Sequence, residues 1–406
     1  MCTSAVFSFS LFLSIFNILS SQPVRPTVCG IHTEIDTSIL SSEPQLKDED
    51  REALKASCVG SSCKVQKPET LVERAENRGQ RLEEIKELFE LDEITSDDLA
   101  EDLMNSIQNV KRSLYAKEGL GDVEPKDDGT WAGDIALTYT VSKAEEEEQS
   151  SEEKERKKRW ILRLQQVPHY KWAIPIPYRI SENFTDKGVS AIKAAIANIE
   201  NSTCIKFNEE STFLNQPHIH FRTYNGTAFC GQSPIGMQEK VNYVYINEHC
   251  DFIKGIIVHE ILHSLGIHHQ QTRYDRDEYL YINYRNVDPQ AYDIFAKAPT
   301  QLFNPYGVEY DFASVMQYNG FSGSLNGNPT IIPRLEPIVK NFWTLGQRAE
   351  GLSPGDINLL NRAYCSRCYD KKTSCGMWAL QGYCSDDSPF SPFMAFNCPQ
   401  SCNICP

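Results

Sequence analysis

The run His259-Glu-Ile-Leu-His-Ser-Leu-Gly-Ile-His-His269 constrains this chain more than any other feature. On a helix, His259 and His263 stand at i and i+4, so both imidazoles leave the same face. Their nitrogens can share one Zn2+ at about 2.0–2.1 Å. Glu260, beside the first histidine, is placed to take a proton from water that the metal activates. Gly266 can adopt positive φ and stop the helix, and the chain can then swing His269 back to the metal. Three protein ligands leave one position open for water and substrate, as a catalytic zinc site requires. The short His-Glu-x-x-His pattern also arises on ordinary amphipathic helices. The longer form fixes five positions and ends in a helix terminator with a mechanistic use, so chance alignment accounts for it poorly.

Downstream, residues 314–318 read Ser-Val-Met-Gln-Tyr. Met316 is read as the apolar floor of a tight turn under the metal, and Tyr318 as within reach of the metal or of a developing oxyanion. With this second element, residues 160–366 resemble the astacin metalloendopeptidases, a branch of the metzincins. The stretch Arg273-Tyr-Asp-Arg-Asp277 is similar to the family's continuation of the zinc run. The resemblance implies an α+β fold, a zincin-like catalytic domain split by an active-site cleft. It implies one Zn2+ on His259, His263 and His269. It also implies that Tyr318 is an extra zinc ligand that moves to stabilise the transition state. Two positions depart from the family pattern. Gln270 replaces a glutamate that pairs with the mature N-terminus in the family, and an amide cannot form that ion pair. Gln317 stands where histidine is usual. His268 is one residue out of spacing and reads as a neighbour of the third ligand or as a surface residue.

Residues 6–19 are mostly apolar, too few for a comfortable membrane span, and sit at the start of the sequence. They read as a secretory signal over 1–21, and no other stretch could span a bilayer. Fourteen cysteines then fit an oxidising, extracellular compartment. Asn183, Asn201 and Asn225 each open an Asn-x-Thr triplet, so each is a candidate glycosylation acceptor. The net charge of −15 is uneven: 33 acidic and 20 basic residues fall in 22–159, against 22 and 20 in 160–406. Nothing in this pattern points to nucleic acid.

Residues 22–159 read as a prosegment. Residues 70–118 carry helical periodicity, with Leu82, Ile85, Leu88 and Phe89 in the stripe. The run Glu145–Glu148 reads as a solvated linker. Arg156-Lys-Lys-Arg159 is a basic processing site for a furin-like convertase, which would leave Trp160 as the new N-terminus. Trp131-Ala-Gly-Asp-Ile135 resembles the family's inhibitory motif, with tryptophan in place of phenylalanine. The resemblance implies that Asp134 ligates zinc where the catalytic water should sit, while Gly133 permits close backbone approach.

Within 160–366, Ser190–Ser202 carry a helical apolar face. His218–Phe221 and Val241–Ile246 read as strands, the two histidines as sheet-face residues rather than ligands, and Trp172–Tyr178 is similar to the family's opening strand. The resemblance implies the pairs Cys204–Cys365 and Cys230–Cys250. Residues 367–406 hold six cysteines, too few residues for a core without disulfides. Six cysteines allow 15 connectivities. The spacing resembles the ShK toxin-like (ShKT) module, which implies Cys368–Cys405, Cys375–Cys398 and Cys384–Cys402. The toxins block channels with an exposed Lys–aromatic pair, and the stretch Phe393–Asn397 lacks lysine. That favours docking to matrix or cell surface over channel block. The pairing of Cys29, Cys58 and Cys63 stays open.

The resulting expectation is a secreted zinc endopeptidase, made latent and acting on extracellular proteins or peptides. The alternative is a catalytically weak secreted binding protein that acts through the ShKT module.

Overall fold

The computed structural model describes residues 44–58, 68–89, 93–136, 161–162, 170–210, 216–224, 229–299, 303–334, 345–346, 351–365, 370–372, 374–385, 387–399 and 401–402. The signal, the linker, the site at Arg159, Asn225, Cys29, Cys63, Cys368 and Cys405 lie outside them. Three helices come first: α1 (Asp48–Ala56), α2 (Pro68–Phe89) and α3 (Glu93–Lys117). The single periodic stretch expected over 70–118 is thus two helices. Ala100, Met104, Ile107 and Leu114 form the buried stripe of α3, at the i, i+4, i+7 spacing that faces one side of a helix. Lys111 falls in that same stripe and is equally buried.

The chain continues through β1 (Ile135–Ala136), β2 (Ile161–Leu162), β3 (Ile176–Ile180), α4 (Asp186–Ser202), β4 (Phe207–Glu209), β5 (His218–Tyr224), β6 (Gly231–Pro234), β7 (Val241–Asn247) and α5 (Lys254–Ser264). Then follow β8 (Leu280–Ile282), β9 (Phe303–Asn304), β10 (Ile331–Pro333), α6 (Pro354–Tyr364), α7 (Cys375–Leu380) and α8 (Ser391–Asn397). Six strands make one sheet in the order β1-β6-β7-β5-β3-β4. β3, β4, β5 and β7 run parallel, β6 is antiparallel to β7, and β1 lies parallel to β6 at the edge. Ile219 and Phe221 of β5 and Val244 and Ile246 of β7 point into the core, as strand alternation dictates.

Helix α4 starts at Asp186, four residues ahead of the apolar stretch, because the Thr185 hydroxyl accepts from the Gly188 amide at 3.0 Å and caps it. Its face Ile192, Ala195, Ile196 and Ile199 is buried, and each isoleucine contributes about 1.5–3 kcal/mol on leaving water. Helix α5 is buried from Gly255 to Ser264, with polar residues only where the zinc run puts them. Helix α6 opens with Pro354 and a reciprocal cap in which Ser353 and Asp356 bond each other's backbone.

Disulfides join Cys204 to Cys365 and Cys230 to Cys250. In the C-terminal unit they join Cys375 to Cys398 and Cys384 to Cys402, around the buried Met394. Cys58 is also disulfide-bonded. The stretch 393–397 carries no lysine of its own, and the Lys371 ammonium lies 3.3 Å from the centroid of the Phe396 ring. The lysine comes from outside 393–397, brought there by the Lys371 amide bonding to the Asn397 carbonyl at 2.6 Å.

The Cys204–Cys365 bond closes 161 residues of chain. Replacing both cysteines by serine should cost about 3–5 kcal/mol in urea unfolding. An unchanged midpoint would show that the loop is equally constrained without the bond.

Candidate metal centre

Helix α5 brings His259 and His263 to one face, and its C-terminus sets the third imidazole. Gly266 has φ +95°. Its amide bonds to the His263 carbonyl at 2.8 Å, and the Ile267 amide bonds to the Leu262 carbonyl at 2.9 Å. This is the left-handed helix stop that a Cβ would oppose. Side chains also close the helix end. Trp172 Nε1 donates to the Ser264 carbonyl at 2.7 Å, and the Tyr364 hydroxyl to the Leu265 carbonyl at 3.0 Å.

His259, His263, His269 and Asp134 then converge, one ligand atom from each lying within 4.8 Å of all the others, and all four residues are buried. The Asp134 carboxylate is 2.7 Å from His269 Nε2 and 3.4 Å from the Nε2 atoms of His259 and His263. His259 Nδ1 donates to the Val315 carbonyl at 2.8 Å, and His263 Nδ1 to the Ile267 carbonyl at 2.7 Å. A carbonyl only accepts, so both protons sit on Nδ1 and both Nε2 lone pairs face inward. His263 Nε2 and His269 Nε2 are 3.1 Å apart. Lone pairs aimed at a common point, with a carboxylate among them, are the donor set of a divalent cation, and three imidazoles suit zinc. Burial pushes the Asp134 carboxyl up, but the charge of His269, 2.7 Å away, and the neighbouring imidazoles outweigh it and hold it well below the usual range.

Glu260 is fully buried beside β6, where a Cβ on Gly231 would come within 2.5 Å of its Oε1. The Tyr318 ring lies 4.4 Å from that of His269, and its hydroxyl donates to the Ala132 carbonyl at 3.2 Å. Gly133 has φ +106°, and a side chain there would run into that hydroxyl. Asp134 lies in the turn that the Trp131–Ile135 bridge closes, directly ahead of β1, whose Ile135 pairs with Ser233.

Met316 is fully buried, and its carbonyl accepts from the Gln270 amide at 3.0 Å. Gln270 is itself buried, with Nε2 3.4 Å from the Asp311 carbonyl, and Gln317 accepts from the Tyr310 hydroxyl at 2.6 Å. Both amides therefore have internal partners where the family has charge or imidazole. His268 is buried, which corrects the surface alternative: its Nδ1 accepts from the His269 amide at 2.7 Å, and the Thr272 hydroxyl lies 2.9 Å from it. Burial, with His269 and His263 nearby, holds it well below the ordinary imidazole range, so it stays a neutral acceptor that shapes the turn at His269. His218 and His220 stay on β5, apart from the cluster. Burial and nearby Arg179 and Arg222 push His220 down to about 3.

Two supports had no motif to announce them. Gln271 Oε1 accepts from the Tyr318 amide at 3.2 Å. Asp356, on α6, accepts from the Ser314 hydroxyl at 2.6 Å and the Val315 amide at 3.0 Å. It thereby holds the loop whose Val315 carbonyl orients His259. Its only sequence signal was the cap of α6.

The peptidase-family model described as Astacin matches residues 164–365, and that described as ShK domain-like matches 367–405. Zinc metalloproteinase nas-9 of Caenorhabditis elegans is 30% identical over 94% of this chain and 72% of its own length. The chain belongs to the astacin family. Among its astacin relatives, zinc metalloproteinase nas-10 of Caenorhabditis elegans is 36% identical over 73% of this chain, which spans 57% of that protein's length. High choriolytic enzyme 1, a hatching enzyme zinc-protease of Oryzias latipes, superposes with a TM-score of 0.43 at 32% identity, over 48% of this chain and 94% of its own. Zinc is the cofactor of this astacin domain, and the His–Asp cluster fits it.

Burial and the nearby Asp311 carboxylate push Asp356 up to about 6, against hydrogen bonds from Ser314, Val315 and Ser353. The folded protein therefore binds this proton more tightly than the unfolded chain. The term favours folding fully below about pH 4 and is lost as pH rises through 6. Relative to Asp356→Asn, the wild-type protein should gain about 2–3 kcal/mol between pH 7 and pH 4. Denaturant melts of both proteins across that range check it; a difference that is flat or falls toward acid would contradict the assignment.

Proposed function

We propose that this chain is a secreted zinc endopeptidase made as a latent zymogen. The observation that carries the reading is the Asp134 carboxylate seated 2.7–3.4 Å from three inward-facing imidazole nitrogens. In this reading 1–21 is a signal peptide, 22–159 the prosegment, 160–366 the catalytic domain and 367–406 the ShKT module. His259, His263 and His269 hold the metal, and Asp134 takes the position that water needs. A convertase cutting after Arg159 starts activation and leaves Trp160 as the new N-terminus. Glycans on Asn183 and Asn201 are compatible with the exposure of both residues.

Zinc, when bound, supplies a Lewis acid that lowers the pKa of water and polarises a peptide carbonyl. Glu260 takes the proton of the attacking water and then passes it to the leaving amine. Tyr318 loses its Ala132 acceptor when the prosegment leaves, and its hydroxyl turns to the developing oxyanion. The edge of β6, covered by β1 in the latent form, receives the substrate as an added strand. Met316 packs beneath the imidazoles and keeps their spacing fixed. Substrates are extracellular proteins or peptides, and the ShKT module docks the enzyme to matrix or cell surface. No observation favours the binding-protein alternative over this reading.

Glu260→Gln should retain zinc and the wild-type melt while peptide turnover falls about a thousandfold; full activity would refute the role of Glu260. Asp134→Ala should cleave peptide without processing, in a chelator-sensitive manner. A mutant as silent as the unprocessed wild type would count against the aspartate.

A further inference from the structure

Lys111 stands in the apolar stripe of α3, where a leucine would serve helix packing equally well. Its ammonium is buried and donates to Asp128 Oδ1 at 2.8 Å and to the Lys126 carbonyl at 2.9 Å. The second acidic neighbour is Asp293 Oδ2, at 3.6 Å, and Asp293 belongs to the catalytic domain. A buried ammonium is tolerated only when acceptors surround it, and a buried carboxylate only beside a cation, so each stabilises the other. The Tyr115 hydroxyl also reaches Asp293, at 3.4 Å, and the rings of Tyr115 and Tyr292 meet edge to face at 5.7 Å.

The same stretch of the catalytic domain is held at two further points. The Gln45 side-chain amide donates to the Lys297 carbonyl at 3.1 Å and accepts from the Lys297 amide at 2.8 Å. Gln45 and Leu46 are in turn fixed to the end of α3, where the Glu118 carboxylate accepts both of their backbone amides. The Lys126 amide donates to the Gln290 carbonyl at 3.2 Å, and Gln290 Nε2 returns a bond to the Glu124 carbonyl at 3.1 Å. None of these contacts involves Asp134, and a cut after Arg159 severs none of them.

We infer that residues 290–297 are a docking surface for the prosegment, independent of the aspartate, and that the severed prosegment stays on it as a non-covalent inhibitor. The cut and the gain of activity are then separate events, and dissociation of this surface controls the second. The inference rests on the zymogen reading above. It gives Lys111 and Asp293 a purpose that neither helix packing nor metal binding supplies.

The test uses the full-length chain, cut by a convertase at the basic site, with the fragments followed by size exclusion and activity by peptide cleavage after dilution. Wild-type fragments should co-elute at micromolar concentration, with activity appearing slowly on dilution. Lys111→Met should release the prosegment roughly a hundredfold faster. Asp293→Asn, which leaves the prosegment sequence intact, should do the same and so excludes simple unfolding of a mutated prosegment. Cut Asp134→Ala should be active yet still co-elute with its prosegment. Wild-type fragments that separate at once from a latent chain would overturn the docking surface alone, as would both charge variants releasing at the wild-type rate. An uncut wild-type chain that already cleaves peptide would overturn the inhibitor role together with the zymogen reading.

Discussion

Nitrogen lone pairs directed at one point repel one another unless a cation or a proton stands between them. The centre of this fold imposes that arrangement. Val315 and Ile267 accept the Nδ1 protons of His259 and His263, which forces the Nε2 atoms inward, and the turn after Gly266 adds His269. The Asp134 carboxylate is drawn into the same point. The surrounding elements are then held in relation to it: the loop of Met316, β6 with Glu260, and the turn from Trp131 to Ile135.

Such a centre demands rigidity, because imidazoles that drift lose their common focus. The protein supplies it through backbone carbonyls whose own positions are fixed by other groups. Asp356 on α6 anchors the loop that carries Val315, and the Ser353 hydroxyl ties the same helix to Asp311 at 2.6 Å. Trp172 and Tyr364 bond to the last carbonyls of α5 from two other parts of the chain. The Cys204–Cys365 bond joins the residues just beyond α4 and α6. The ligand geometry is thus maintained by elements up to a hundred residues distant in sequence.

In the proposed zymogen, the prosegment meets the catalytic domain twice. One meeting is the aspartate in the metal centre, which in that reading competes for the position that catalysis needs. The other is the surface at 290–297, a set of ordinary interfacial contacts around one buried ion pair. A single carboxylate blocks a site but does little to hold a chain of this length, whereas a surface with aromatic packing and paired charge holds it without touching the reaction.

The sequence by itself determined the family, the zinc run, the Met316 turn, the sheet strands at β5 and β7, and the two-part order of peptidase domain and six-cysteine module. These are legible because each is local: helical spacing aligns His259 with His263, a glycine permits the turn at 266, and alternation marks a strand. Tertiary structure alone decided what lies far apart in sequence. It set Asp356 beneath the loop of Val315, Gly231 against Glu260, Lys371 over Phe396, and Lys111 against Asp293. It also buried His268, which adjacency to a ligand left undecided. A lysine in a helical stripe looks like an interruption of that stripe until its partner carboxylate, 182 residues away, arrives by folding. No local pattern records such a meeting, because the free energy that selects it belongs to both buried charges together.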